Sequence, residues 1–233
     1  MSTTVVSSAK LPVIVPSLIN EVANTNGLWN AHYNQVHYTG NWDVLPLRSP
    51  GGNTAFSYAE TMNHGQFQDT AYLNSFPAIR QLLQQFNCPL LSARLLNLKA
   101  GSVIKKHRDF DLSFEHGEAR LHFPIITNDK VSFYLNDKLL PMQAGECWYI
   151  NANLPHNAIN AGDTDRIHLV VDCVVNDWLK DLFERAEKSY YTYPTDTNMI
   201  LRMIEELKAN PSPAAQGIID ELEEKYRLLS ETN

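Results

Sequence analysis

Short hydrophobic runs alternate with turn residues through the middle of the chain, from residue 90 to about 175. None of these runs has the period of an amphipathic helix, and several alternate polar and apolar residues as half-buried strands do. Closely spaced short strands favour an antiparallel sandwich or barrel over a parallel α/β sheet. An Asn136-Asp137 pair predicts a hairpin turn. The predicted strands cover residues 94–98, 102–106, 120–126, 131–135, 146–150 and 166–175.

Helix-like spacing of apolar residues flanks this β segment on both sides. Upstream, residues 17–22 and 76–86 have it, separated by a predicted loop at 48–53. Downstream, amphipathic stretches are predicted at 178–186, 199–207 and 214–229. We therefore expect N-terminal helices, a mainly β domain over residues 1–178 with its core at about 90–178, and a helical C-terminal extension over 179–233. The extension is expected to cover the sheet or to form a homodimer contact.

Composition narrows the classes of protein that fit this plan. The chain has 233 residues and a formal net charge of −7 without a long basic cluster, so nucleic acid is not an expected partner. Its three cysteines are widely spaced and form no CxxC motif, which argues against a disulfide framework and indicates a reducing compartment. No apolar run reaches the ~20 residues that a membrane helix needs. We expect a cytoplasmic, soluble protein that acts on small molecules.

Histidines are concentrated in the β segment, where five of the eight fall between residues 107 and 168. In an extended chain, His107 and Asp109 point to the same side and can reach one ion. His156, about four strands later, can add a second imidazole, which completes the facial triad of a non-haem Fe(II) oxygenase. An HxD motif alone also fits a surface turn, and Asp111 continues the alternation as a competing ligand.

Two strands carry an Arg-x-His pattern with both polar residues on one face. These pairs are Arg166 with His168 and Arg120 with His122. A buried guanidinium is unfavourable without an anion, and beyond Asp109 we expect no acidic residue at a matching inward position. A small carboxylate in a cavity is therefore the expected partner of these residues. Edge strands with solvated polar residues are the alternative.

Five sequence motifs follow one another through the β segment: ARLLNLKAGSVIKKHRD from Ala93, RLHFPI from Arg120, GECWYIN from Gly145, LPHNA from Leu154 and RIHLVVD from Arg166. Over roughly residues 90–178, these motifs resemble the aspartyl/asparaginyl β-hydroxylase family, and within it the bacterial members related to L-proline cis-4-hydroxylase. A segment from Tyr38 to Trp42, with Leu47-Arg48-Ser49, resembles a substrate-side segment of the proline hydroxylases.

The resemblance implies a double-stranded β-helix, or jelly roll, that uses Fe(II), 2-oxoglutarate and O2. It implies iron coordination by His107, Asp109 and His156, and a contact between Arg166 and the distal carboxylate of 2-oxoglutarate. It further implies that Arg120, His122 and His168 help to hold 2-oxoglutarate. Because the aspartyl hydroxylases proper lack a carboxylate ligand at the position of Asp109, the chain is grouped with the small-molecule hydroxylases.

The expected function is hydroxylation of an unactivated C–H of an amino acid, a residue in a peptide or an amino-acid-derived compound, with release of succinate and CO2. A non-catalytic jelly-roll sensor that binds a small carboxylate is the first alternative, and it would bind its ligand without iron and without chemistry. A cupin-like metal hydrolase or isomerase is the second, and it would be indifferent to O2 and to loss of Arg166.

Overall fold

The computed structural model describes residues 4–23, 25, 27–55, 66–109, 112–193, 197–209 and 213–230. Contacts divide the chain into two compact units. One unit is Val6–Ser189, and the other joins Met1–Val5 to Tyr190–Asn233. The candidate site residues all belong to the first unit.

Antiparallel strands dominate the described part of the chain, which also contains five α-helices. The helices are α1 (Ile19–Val22), α2 (Pro77–Leu83), α3 (Asp177–Glu184), α4 (Thr197–Ala209) and α5 (Pro213–Ser230). The strands are β1 (Thr4–Leu11), β2 (Asn30–Ala31), β3 (Tyr38–Thr39), β4 (Trp42–Pro50), β5 (Phe67–Asp69), β6 (Leu90–Leu98), β7 (Val103–His107), β8 (Glu118–Ile126), β9 (Val131–Leu135), β10 (Lys138–Leu140), β11 (Cys147–Ile150), β12 (His156–Asn160), β13 (Arg166–Val174) and β14 (Glu187–Thr192).

Within Val6–Ser189 the strands form two sheets. The larger sheet has the order β1-β11-β8-β13-β6-β4-β2, with β5 added to β4, and the smaller sheet has the order β10-β9-β12-β7-β3. Residues of both sheets line one cavity, which places it between them. The mainly β, jelly-roll class predicted from the sequence is confirmed.

Strand β13 shows how the larger sheet separates core from cavity. It lies between β6 and β8, and all its residues except the last are buried. Because successive side chains of a strand point to opposite faces, one set enters the hydrophobic core and the other faces the cavity. The core set is Ile167, Leu169, Val171 and Cys173. Helices α2 and α3 contribute buried residues to the same core, so they cover the outer face of the sheet.

Turn chemistry fixes the β9–β10 hairpin. Asn136 and Asp137 have φ values of 47° and 63°, the left-handed conformation that a two-residue type I′ turn requires. Asn and Asp tolerate this region better than most other residues do. The register pairs Lys138 with Leu135, so the predicted hairpin turn is confirmed.

Elements upstream of residue 90 differ more from the predictions. Both predicted helices exist as α1 and α2, and Pro77 occupies the first turn of α2, where its missing N–H costs nothing. The predicted loop at 48–53 is wrong in its first half, because β4 continues to Pro50 and pairs with both β5 and β6. Strand β1 was not predicted. It joins the edge of the larger sheet by pairing Ser8–Leu11 with β11.

Helix α3 belongs to the core of the first unit, since Leu179, Leu182 and Phe183 are buried in the main cluster. The contact-based unit therefore continues to Ser189. The domain assignment made from the sequence, with its division after residue 178, stays a prediction.

The second unit contains a helical pair. Helices α4 and α5 pack through Ile200, Ile204 and Ile219, and Lys208 Nζ lies 2.6 Å from Glu223 Oε1. None of the helices in the described part of the chain has the length and apolar character needed to cross a membrane. The homodimer contact, the cytoplasmic location and the lack of a nucleic-acid partner stay predictions.

Candidate functional site

The smaller sheet brings the two predicted histidine ligands together. His107 ends β7 and His156 begins β12, and the two residues are direct partners in the antiparallel register. Asp109 follows two residues later, where its backbone N–H donates to Ala152 O at 2.9 Å. One ligand atom from each of His107, Asp109 and His156 lies within 4.8 Å of the other two. The structure thus places the three side chains around one point.

Backbone hydrogen bonds orient both imidazoles. His107 Nδ1 lies 2.8 Å from Lys105 O and His156 Nδ1 lies 3.0 Å from Leu154 O. These bonds assign the proton to Nδ1, so each Nε2 presents its lone pair toward Asp109. The distances from Nε2 to the Asp109 carboxylate are 3.8 Å for His107 and 3.9 Å for His156. Burial, with a contribution from His107, lowers the pKa of His156 to about 4, so the ring is neutral near neutral pH. Two imidazoles with Nε2 directed at one point, together with a carboxylate, are a donor set that fits a divalent iron ion.

A buried charge network supports the carboxylate ligand. Asp172 on β13 accepts hydrogen bonds from Arg120 Nε at 2.7 Å, Arg94 Nη2 at 3.0 Å and Ser92 Oγ at 2.8 Å. Arg120 also donates from Nη1 to the Asp109 carboxylate. Although burial opposes ionisation, Arg120 and Arg94 lower the pKa of Asp172 well below its usual range. Arg120 therefore holds Asp109 in place from a fixed position.

This network corrects one expectation from the sequence. We expected no acidic residue other than Asp109 at an inward position, yet Asp172 is inward, 2% exposed and directly paired with Arg120 in the register. The sequence did contain evidence for an inward Asp172. On the same strand it lies an even number of residues from Arg166 and His168, so the three side chains share one face. The predicted contact of Arg120 with 2-oxoglutarate stays a prediction, since its guanidinium here binds two carboxylates.

Arg166 lies on the same face of β13 and has no comparable partner. Its guanidinium is 2% exposed, donates from Nη2 to His168 Nδ1 at 2.9 Å and lies 5.7 Å from the centre of the Phe133 ring. Within the described residues its Nε has no hydrogen-bond partner, and neither ring nitrogen of nearby His122 has one. Burial lowers the pKa of Arg166 to about 9 and keeps His122 and His168 neutral. A buried cation beside unsatisfied polar atoms fits an acidic ligand such as 2-oxoglutarate.

Other cavity residues were not singled out from the sequence as site residues. His32 stacks on Trp42 with ring centroids 3.7 Å apart and an interplanar angle of 12°, and both rings line the cavity beside Arg94. Burial, with a contribution from Arg94, lowers the pKa of His32 to about 3. Trp42 belongs to the segment whose resemblance suggested a substrate side. Arg48, from the same resemblance, lies elsewhere and binds Asp69 at 2.8 Å. Asp111, the competing ligand, is outside the described residues.

Together, the fold and this geometry define the class: a jelly-roll protein with two histidines and one carboxylate arranged as a metal site, beside a buried guanidinium in the same cavity. The sequence model of the aspartyl/asparaginyl β-hydroxylase family matches residues 12–175. The chain belongs to this family, as its motifs predicted.

Similarity to individual proteins agrees with this membership. The chain is 28% identical over 135 residues to an L-proline cis-4-hydroxylase of Rhizobium meliloti (strain 1021), covering 57% of this chain and 48% of that protein. It is 28% identical over 137 residues to L-proline cis-3-hydroxylase 2 of a Streptomyces species, covering 57% of this chain and 47% of that protein. The chain thus spans about half the length of these relatives.

Among solved structures, the non-heme α-ketoglutarate-dependent epimerase SnoN from nogalamycin biosynthesis matches with a TM-score of 0.45 and 14% identity. That match covers 72% of this chain and 78% of the epimerase.

Proposed function

We propose that the protein is an Fe(II)- and 2-oxoglutarate-dependent hydroxylase that acts on an amino acid or an amino-acid-derived compound. In the balanced reaction, the substrate C–H, O2 and 2-oxoglutarate give the substrate C–OH, succinate and CO2. One observation carries the proposal: the His107, Asp109 and His156 ligand set shares a cavity with the buried Arg166 guanidinium, which binds no protein carboxylate among the described residues.

Each part of the cavity then has a distinct task. His107, Asp109 and His156 would hold the metal and, as three ligands, would leave positions for other ligands. The bound iron supplies the oxidative chemistry with O2 and 2-oxoglutarate. Arg166 binds the distal carboxylate of 2-oxoglutarate, and the hydrogen bond from its Nη2 to His168 fixes the orientation of the guanidinium.

Arg94 and His32 are the residues that we assign to the substrate carboxylate. Arg94 uses Nη2 for Asp172 and its side chain lines the cavity. His32 Nδ1 accepts the N–H of Asn34 at 3.4 Å, which leaves Nε2–H as a donor on a neutral ring. The cavity volume of about 410 Å³ lies within the range of small-molecule sites. A small amino acid substrate also agrees with the names of the two proline hydroxylase relatives.

Succinate formation tests the proposal. Purified protein is incubated with Fe(II), 2-oxoglutarate and a panel of amino acids, and succinate and the oxygenated product are measured by mass spectrometry. We expect coupled, iron-dependent turnover that His107→Ala abolishes. His116 is exposed, does not line the cavity and is hydrogen-bonded to Ser113 and Asn153, so His116→Ala is a matched control that should retain activity.

Other outcomes would identify the alternatives. Stabilisation by 2-oxoglutarate without iron and without turnover would support a sensor. Turnover that is indifferent to O2 and to Arg166→Met would support a metal hydrolase or isomerase.

A further inference from the structure

Guanidinium groups outnumber carboxylates in the cavity. Among its described lining residues are four arginines, Arg94, Arg108, Arg120 and Arg166, and one carboxylate, Asp109. Arg94 and Arg120 bind Asp172, and the proposed function assigns Arg166 to 2-oxoglutarate. For Arg108, the described residues provide no carboxylate partner, and the proposed function assigns it no contact with 2-oxoglutarate.

Arg108 lies at the mouth of the cavity. Its position between the ligands His107 and Asp109 fixes its backbone relative to the metal, while its side chain is exposed to solvent. Tyr33, 58% exposed, and Asn157 line the same cavity.

The basic residues that precede Arg108 are engaged differently. Lys105 Nζ donates to Val36 O at 2.9 Å, and Lys106 Nζ lies 2.5 Å from Asp137 Oδ1. Arg108, in contrast, makes no hydrogen bond or ion pair with any described residue. A guanidinium offers a planar pair of donors that matches a carboxylate. An exposed guanidinium at a cavity mouth, with no carboxylate bound to it among the described residues, is suited to an acidic part of a ligand.

Charge balance inside the cavity supports a second acid group. With Fe(II) and the dianion of 2-oxoglutarate bound, the charges of Arg94, Arg120, Arg166, Asp109 and Asp172 leave one net positive charge. The carboxylate of an amino acid substrate offsets this charge, and the ammonium group of the same substrate adds one positive charge back. Arg108 contributes a further positive charge that no carboxylate among the described residues pairs with, and a carboxylate at the outer end of the substrate would supply a partner.

We propose that Arg108 is a specificity-determining residue that binds a second carboxylate on the substrate, so that the substrate class is an amino-acid derivative with an additional acid group. This inference rests on the proposed function for the identity of the inner ligands. The inference goes beyond the proposed function because it specifies that the side chain or substituent of the substrate is acidic and not neutral.

Pairs of acids and amides test this assignment. The dissociation constants of aspartate, glutamate and 2-aminoadipate, each beside its side-chain amide, are measured by calorimetry on protein that holds Mn(II) and N-oxalylglycine. We expect at least one acid to bind ~10-fold more tightly than its amide, and Arg108→Gln to remove that difference while leaving the affinity for the amide unchanged. Lys106→Gln, at an exposed lysine two residues before Arg108, should leave the selectivity intact. In turnover assays, Arg108→Gln should raise KM for the acid and leave kcat unchanged.

An acid-to-amide ratio that Arg108→Gln does not change, or a preference for amides throughout, would overturn the assignment even if succinate forms. Failure of the proposed function has a different signature, because neither Fe(II)-dependent succinate nor tight Mn(II) and N-oxalylglycine binding would then occur. In that case the same acid and amide pairs are titrated into the protein alone. Equal binding of both members would overturn the role of Arg108 as well.

Discussion

Removing the charge of Asp172 gives the sharpest test of the network behind the metal ligands. Asp172→Asn keeps the size of the side chain but leaves the guanidiniums of Arg94 and Arg120 without their shared carboxylate. All three residues are at least 92% buried, with exposures of 2%, 5% and 8%. Loss of one partner from a buried pair costs about 3–5 kcal/mol, because the remaining charge is uncompensated. For a protein of this size that corresponds to a fall in Tm of ~6–20 °C.

The same substitution should weaken the metal site. Arg120 links Asp172 to Asp109, so without Asp172 the guanidinium is free to move and Asp109 loses its fixed orientation. Loss of an outer partner of a metal ligand lowers metal affinity ~10–100-fold. Urea unfolding followed by tryptophan fluorescence gives the free energy of unfolding, and Co(II) titration gives the affinity.

Controls and pH dependence make this prediction specific. Asp137→Asn breaks the exposed pair with Lys106 and should change the free energy of unfolding by less than ~1 kcal/mol. Because the folded-state pKa of Asp172 is depressed, its stabilisation is present above the unfolded value near ~3.9 and is lost as pH falls toward the folded value. The gap between wild type and Asp172→Asn should therefore be constant above pH ~5 and shrink below pH ~4. A loss under ~1 kcal/mol with unchanged Co(II) affinity would refute the reasoning.

Three further substitutions test other parts of the structure. Arg166→Met should raise KM for 2-oxoglutarate ~100-fold without lowering Tm. The reason is that an apolar side chain then replaces a buried cation that pairs with no protein carboxylate among the described residues. A clear fall in Tm would contradict this account. His32→Phe keeps an aromatic ring stacked on Trp42 but removes the Nε2 donor. KM for the substrate should therefore rise ~10-fold, while KM for 2-oxoglutarate stays the same. Equal changes in the two KM values would argue against the role assigned to His32. Leu121→Ala, at a fully buried core position, should cost ~2–5 kcal/mol in urea unfolding, whereas Ile14→Ala, 85% exposed, should cost little; similar values would contradict the packing.

The two faces of β13 differ in what they contribute: one packs in the hydrophobic core and the other supplies charges to the site, where Asp172 affects both stability and the metal ligands and Arg166 affects mainly cosubstrate binding. Its core-facing residues, such as Leu169 and Val171, pack among apolar side chains. Its cavity-facing residues, Arg166 and Asp172, provide the charges of the site. Substitutions on the first face should therefore reduce folding stability, and substitutions of Arg166 should reduce cosubstrate binding at little cost in stability.

Local sequence determined much of this protein. Alternation along β13 identified a strand with Arg166 and His168 on one face, and Asn136-Asp137 identified a hairpin turn, because both signals depend only on neighbouring residues. The HxD spacing put His107 and Asp109 on one side of the chain for the same reason. The concentration of histidines in the β segment made His156 a candidate for the third ligand, and the family motifs supported it, although no local rule connects it to the other two ligands.

Tertiary structure decided how these parts combine. The register of β13 against β8 pairs Asp172 with Arg120, and the register of β13 against β6 places Arg94 opposite Val170, on the face of the sheet that lines the cavity. The stacking of His32 on Trp42 likewise joins residues whose roles no local pattern indicated. Strand partners distant in the chain are selected by packing of whole sheets, which a single sequence does not display. The charge network and the substrate side of the cavity therefore follow from the folded structure, whereas the strands of the segment from residue 90 to about 175 and the ligand types follow from the sequence.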